Sequence, residues 1–314
     1  MIEIAQYTPE FAPRWDEMVR ASRNGTFLLQ RGYMDYHADR FPDASLIALH
    51  KGKPVALLPA CKGTEGVITS HAGLTYGGWI LPQNHLDATR LLEVFGTAAE
   101  YLHSQGYRQL IYKPVPYVYT PRPSQEDLYV LWHMGGTLSH RLISSAIDLR
   151  APWKFDMSKR QQVRKALAGG WIVGESDRLE DFYTLLCSCL AERHEAAPVH
   201  TLAELQLLMS RFPANIRLFT ATAPDGELHA GCIVYDTGYV AHSQYAATSA
   251  AGRSNYLLTL LYHHLLTEVF PSRAYFDFGT SNEQQGRVLN SGLLAQKYAL
   301  GATGVAYDTY TLNL

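Results

Sequence analysis

The string TSAAGRSN, Thr248 to Asn255, sets Gly252, Arg253 and Ser254 at the opening of a predicted helix that directly follows a predicted strand. The first amides of a helix lack intrahelical acceptors, and together with the helix dipole they favour an anion. Arg253 adds a positive charge at the same point. The group suits a phosphate-bearing ligand, although a short G-x-S is neither a full Walker loop nor a GxGxxG fingerprint. The plain alternative is a capped helix start, with Ser254 or Asn255 as the cap. A second basic group stands on KRQQVRKALAGG, where Arg160 and Arg164 lie one helical turn apart and Lys165 extends their side. It reads either as a solvated face or as a wall facing a phosphate-bearing substrate. Asp277 stands near the end of the strand AYFDF, where a carboxylate can cap a turn. His242 and Tyr245 lie on the strand before this small-residue string, facing a cleft or packed in the core.

The elements that carry these residues follow one order, written twice. SLIALHKGKPVALLPAC reads as a hairpin about Lys51–Gly52–Lys53, followed by an extended stretch from Val67 to Leu74, the Gly-rich TYGGW, a helix from Leu86 to His103 and the strand RQLIYK. IRLFTATAPDGELHAGCIVYDT is again a hairpin, turning at Pro224–Asp225–Gly226. It leads to the strand YVAHSQYAA, the small-residue loop, a helix from Tyr256 to Val269 and the strand AYFDF. Hairpins predict antiparallel pairs, and a strand, helix, strand passage predicts a parallel crossover. The expectation is a mixed α/β (α+β) sheet, repeated, in two domains of residues 1–150 and 151–314 with a cleft between them.

Composition agrees with two domains. At 314 residues with 47% hydrophobic content, the chain can fill two cores. A net charge of -2 argues against a surface built for DNA. No apolar run reaches the roughly 18 residues of a membrane span, and MIEIAQYTPEF does not read as a signal peptide, so a cytoplasmic location without membrane partners is expected. Cys61, Cys187, Cys189 and Cys232 form no CxxC pair and read as reduced, structural thiols. No metal is expected: His194–Glu195 is followed by His200 and not by a histidine one turn from His194, and His264 with Glu268 lacks a third ligand.

A hairpin, a strand, a small-residue loop opening a helix, and another strand resemble the core order of the Gcn5-related N-acetyltransferase (GNAT) fold. NSGLLAQKYALGA resembles that family's last helix, with Asn290 and Gly301 at the usual separation and Lys297 where a tyrosine is common, Tyr298 following it. That lysine, the Asp277–Phe278–Gly279 strand end, the duplicated order and the basic helix together resemble the Fem-like and BioF2-like branch of acyltransferases. NGTFLLQRGYMDYHADRF, HAGLTYGGW and YKPVPYVYTPRPSQEDLY extend the resemblance over nearly the whole chain.

The resemblance implies two tandem GNAT-like domains, with acetyl-CoA or another acyl-CoA as co-substrate. Donor contacts fall on Tyr245, Ala246, Gly252, Arg253, Ser254 and Asn255. Lys297 then stabilises an oxyanion or a donor phosphate, Tyr298 protonates the leaving group and Asp277 orients the amine or acts as base. Acceptor contacts are expected from Tyr76, Trp79 and Tyr117, together with His242 and Arg164; Tyr119 is a further candidate lining aromatic. The first half reads as a degenerate copy, because Trp79, Leu81 and Pro82 separate its Gly pair from the helix. The leading function is acyl transfer from acyl-CoA to a primary amine of a small molecule or peptide. An aminoacyltransferase using aminoacyl-tRNA on a peptidoglycan precursor is the alternative, and a non-catalytic acyltransferase-like binding protein is the third.

Overall fold

The computed structural model describes residues 1–84, 86–194 and 197–314. The chain divides into two compact units: Met1–Leu142 with Gln284–Gly286 and Ala306–Leu314, and Ile143–Glu283 with Arg287–Val305.

In the first unit, β1 (Ile2–Gln6), β2 (Leu46–His50) and β3 (Lys53–Leu58) form an antiparallel sheet, with α1 (Ala12–Ala21) and α2 (Arg31–Met34) in the connection. The expected hairpin turns at Lys51 and Gly52, both at positive φ, as a tight two-residue turn requires. After Pro59, the chain resumes as β4 (Cys61–Lys62), antiparallel to β5 (Val67–Thr69), which runs parallel to β6 (Gln109–Tyr112). The helix between them, α3 (Ala88–Ser104), starts at an Asp87 cap whose side chain accepts from the Arg90 amide. Helix α4 (Glu126–His133) follows, and Tyr112, at the end of β6, donates to its buried Asp127 at 2.9 Å. Strand β7 (Thr137–Asp148) leads into the second unit.

That unit opens with α5 (Met157–Leu167), capped by Asp156, whose carboxylate accepts from the Lys159 amide. It continues through β8 (Ile172–Glu175), α6 (Leu179–His194) and α7 (Leu202–Arg211). Next come β9 (Ile216–Thr222), β10 (Leu228–Asp236) and β11 (Val240–Thr248), an antiparallel meander. The short α8 (Ala250–Ser254) and then α9 (Leu257–His264) cross over to β12 (Tyr275–Thr280), which pairs parallel to β11. A β13 (Asn282–Glu283) and β14 (Val288–Leu289) ladder, α10 (Ser291–Ala299) and β15 (Thr303–Asn313) complete the chain; the far end of β15 pairs with β6 in the first unit. The order in the second unit's sheet is β7-β12-β11-β10-β9-β8. Leu257, Leu261 and Leu265 of the crossover pack onto Phe219 and Phe276 from the sheet, so burial of one apolar helical stripe fixes α9 over β11 and β12.

Two expectations need correction here. The small-residue stretch is largely helix, because Ser249 caps α8 by accepting from the Gly252 amide at 3.0 Å. The break before α9 lies instead at Tyr256, which takes a left-handed φ of 59°.

Candidate donor site in the second unit

Strands β11 and β12 pair at Val240–Tyr275, Ala241–Phe276 and His242–Asp277, and then part. Both strands become irregular at that point. On β11, Ile233 of β10 faces Tyr245 while Val234 faces Ser243, which leaves Gln244 as an extra residue. On β12, two residues separate Asp277 from Thr280 while only one separates their partners Ala146 and Ser144 on β7. Such bulges bend strands and stop pairing. The gap is a cavity of about 350 Å³ lined by Ser243 and Ala246 of β11, Phe278 and Thr280 of β12, Leu190 of α6 and Lys297 of α10. A second cavity of about 270 Å³, with Lys159, Gln162 and Arg253 in its wall, shares Thr248, Leu258 and Tyr262 with the first.

Lys297 is 7% exposed, and its ammonium donates to the carbonyls of Gly279 at 2.7 Å and Thr280 at 2.8 Å. An ammonium has three donors, so one remains for the cavity. Burial lowers its pKa to about 8, against the opposing pull of Asp277. Asp277 is fully buried. Its Oδ1 accepts from the Ser144 hydroxyl at 2.6 Å and the Gly279 amide at 2.9 Å, and its Oδ2 lies 3.0 Å from His242 Nδ1. The carboxylate therefore orients His242, which corrects its expected place as a base meeting the amine directly.

Tyr298, expected as the leaving-group acid, is 47% exposed and lines neither cavity. On the buried side, Tyr262 of α9 lines both, and its hydroxyl is 3.0 Å from that of Ser243.

The loop residues divide. Gly252 and Arg253 line the second cavity, but the Gly252 amide is taken by Ser249 Oγ and the Arg253 amide by the Ser249 carbonyl at 2.9 Å. The expected fan of unpaired amides at these residues is absent. Arg253 also donates from Nη1 to the Thr248 carbonyl at 2.9 Å. A Cβ on Gly252 would overlap the His229 carbonyl, so this glycine serves close packing of α8 on β10. Ser254 and Asn255 are exposed and bond back to Ala250 and Ala251. Ala246 lines the first cavity, whereas the Tyr245 hydroxyl is held by His200 Nδ1 at 2.7 Å.

Arg164 is exposed on α5 and reaches neither cavity, while Lys159 enters the second. Lys159 lies one turn before Val163 on the stripe that also buries Ala166, and that spacing, not the Arg160–Arg164 pair, was the signal for a cation turned toward the core side. Burial lowers its pKa. In the first unit, Tyr76 and Trp79 are core residues: Trp79 packs on Phe95, and Tyr76 on the buried Tyr119. Their burial corrects the expectation that they line an acceptor surface. Tyr117 is 50% exposed. Gly78 there serves packing as well, since a Cβ would lie 2.7 Å from the Tyr112 hydroxyl. Of the His194–Glu195 string, Glu195 lies outside the described residues.

A strand pair that parts around a cavity, with a helix crossing over it and cations at its mouth, matches a known domain. Residues 156–285 fit the family model described as acetyltransferase (GNAT) domain. Residues 156–285 are a GNAT acetyltransferase-type domain. The match spans α5 through β13 and ends before α10, so it does not include Lys297. No curated protein matches the chain. Among solved structures, FemX superposes with a TM-score of 0.72 at 13% identity, covering 99% of this chain and 97% of that one. L-PGS from Bacillus licheniformis gives 0.61 at 12% identity, covering 98% and 91%. A tandem GNAT protein from the clavulanic acid biosynthesis pathway gives 0.55 at 12%, covering 100% and 98%. These likenesses are of fold, and they extend the GNAT-like architecture beyond the matched segment. Among the described residues, no helix is long and apolar enough to cross a membrane.

Proposed function

We propose that this protein moves an acyl group, acetyl in the simplest case, from acyl-CoA to a primary amine of a small molecule or peptide. In this reading, residues 151–314 hold the donor and residues 1–150 are a degenerate copy. The observation that carries it is the gap between β11 and β12 past His242 and Asp277, which shares wall residues with the cavity that bears Lys159 and Arg253. The groups present fit acyl-CoA: two cations suit its phosphates, and the β11 edge left unpaired by β12 suits the amides of its pantetheine arm. When bound, acyl-CoA supplies an activated carbonyl on a sulfur leaving group. An acyl-CoA donor points to a cytoplasmic reaction.

The residues then have distinct tasks. With Nδ1 directed at Asp277, His242 keeps Nε2 as the nitrogen that accepts the amine proton. Lys297 turns its remaining N–H toward the place where negative charge develops on the carbonyl oxygen. Lys159 and Arg253 hold the phosphates.

The aminoacyl-tRNA alternative is favoured by one observation: Arg160, Arg164 and Lys165 stay exposed on α5, and Lys165 Nζ lies 5.9 Å from the ring of Tyr256, which lines the second cavity. Thermal melting separates the readings. A donor at a hundredfold its Kd stabilises by about 2.7 kcal/mol. A rise in Tm with acetyl-CoA supports the first reading, salt-sensitive binding of charged tRNA without that rise supports the second, and a response to neither supports a non-catalytic protein.

A further inference from the structure

Tyr256 holds a backbone conformation that its side chain disfavours. Its φ of 59° and ψ of 30° lie in the left-handed region, which glycine enters freely and a bulky residue enters at a cost. The chain turns here from α8 into α9, a junction that glycine or asparagine would make with less strain. The tyrosine is instead half-buried and lines the second cavity, together with Lys159, Gln162 and Arg253. Lys165 Nζ lies over its ring, 5.9 Å from the centroid. The Thr259 hydroxyl donates to Gln162 Oε1 at 3.0 Å, so Gln162 Nε2 keeps both of its hydrogens for other acceptors.

An aromatic ring, an amide donor and two cations around one small cavity are complementary to a nucleotide. The ring suits the flat face of a base, the amide suits a ring nitrogen of that base, and the cations suit phosphates. From this set we infer that the second cavity takes the adenine end of the donor, with the base stacked on Tyr256 and Gln162 Nε2 donating to one of its ring nitrogens. The inference rests on the acyl-CoA reading and adds to it the part of the donor that takes no share in the chemistry. The two cavities have Thr248, Leu258 and Tyr262 in common, as the two ends of one ligand require. Lys165 steadies the ring by a cation–π contact. The strained backbone then has a reason: a glycine at this position would leave the cavity wall without a ring.

Calorimetry with the donor and its two fragments tests this and needs no acceptor. Wild type, Tyr256→Phe and Tyr256→Leu are titrated with CoA, with phosphopantetheine, which lacks the adenosine, and with adenosine bisphosphate, the nucleotide end of CoA. Tyr256→Leu keeps apolar bulk against the core. It should bind CoA and adenosine bisphosphate roughly five- to 150-fold more weakly, the range of one base–aromatic stack, and bind phosphopantetheine as wild type does. Tyr256→Phe keeps the ring and should bind all three as wild type does. Gln162→Leu should show the same pattern with a loss of roughly two- to tenfold, the range of one hydrogen bond, and it carries the test if Tyr256→Leu melts early. Wild type that binds none of the three ligands overturns the acyl-CoA reading itself. Binding of AMP, the terminal nucleotide of tRNA, without binding of CoA would give the same ring to the aminoacyl-tRNA reading and overturn this one. Wild type that binds CoA, with Tyr256→Leu and Gln162→Leu losing nothing or weakening phosphopantetheine to the same extent, overturns only the assignment of the second cavity to adenine.

Discussion

His242 Nδ1 lies 3.0 Å from Asp277 Oδ2 across the last register pair that β11 and β12 form before they part. The end of the strand pairing and a buried carboxylate thus coincide at two residues, next to Ser243 and Phe278, which line the cavity. The remaining Asp277 oxygen is fixed by Ser144 and the Gly279 amide, so the imidazole is oriented from behind.

Asp277→Asn should damage turnover more than donor binding. The asparagine oxygen can keep the Ser144 and Gly279 bonds, which turns its amide donors toward His242 and forces Nδ1 to accept. Nε2 then carries the hydrogen and no longer takes a proton from the amine. A fall of about a hundredfold or more in turnover with acetyl-CoA is expected, with CoA affinity within a few-fold of wild type by calorimetry. Equal turnover would remove the pair from the chemistry.

Lys159→Ala should weaken CoA binding about tenfold, the scale of one charge-assisted hydrogen bond. The variant's deficit should shrink at high salt, since ionic screening weakens the wild-type contact. Arg164→Ala, one of the exposed cations of the same helix, should leave CoA affinity unchanged. Calorimetry at low and high salt on the two variants checks both statements.

Gly252→Ala should lower stability through packing. The added methyl meets the His229 carbonyl, and relieving that overlap must move α8 away from β10. Overpacking of this kind costs about 1–3 kcal/mol, read as a lower Tm without ligand. A charged substitution at this position would lose fold and donor binding together, so alanine, with Tm as the readout, is the informative change.

The strand and helix order was legible because hairpin turns and helix caps are local: Lys51–Gly52, Asp87 and Asp156 each act within a few residues of themselves, whereas the Ser249 cap that makes α8 a helix was passed over. The pairing of β11 and β12 was legible from the crossover rule. What stayed hidden depends on contacts distant in sequence. Asp277 is occupied by Ser144, 133 positions away, so its base role looked open. Tyr262 sits among leucines in a stretch that reads as a core helix, and its hydroxyl meets Ser243, 19 positions away, only in the fold. The aromatic residues Tyr76 and Trp79 looked suited to a binding surface, yet the first unit needs their volume in its core.

Lys113 should make stability rise with alkaline pH. It follows β6, donates to the carbonyls of His71, at 3.4 Å, and Leu74, and burial lowers its pKa to about 8. A lysine depressed in the folded state contributes stability that is fully present above the unfolded value near 10.5 and is lost as pH falls through about 8. Lys113→Met should flatten this slope between about pH 8 and 9.5. Denaturant midpoints of the two proteins across that window are the measurement, with Lys297→Met as the comparison from the second unit.

Lys297→Met should abolish the alkaline limb of the rate. The ammonium loses its proton near pH 8 in the folded protein, so wild-type turnover should decline as pH rises through that value, once the rising supply of deprotonated amine no longer compensates. Methionine keeps most of the stem and removes the charge, which leaves the Gly279 and Thr280 carbonyls without their donor at a cost of about 1–3 kcal/mol. Turnover should fall by about a hundredfold or more at pH 7, as for a lost oxyanion contact, and what remains should show no decline near pH 8. Single-turnover rates and Tm taken on one sample across pH 6.5 to 9.5 decide the matter. A variant that melts early but whose folded fraction reacts at the wild-type rate, with the alkaline limb intact, would make Lys297 a clamp for the β12 turn and nothing more.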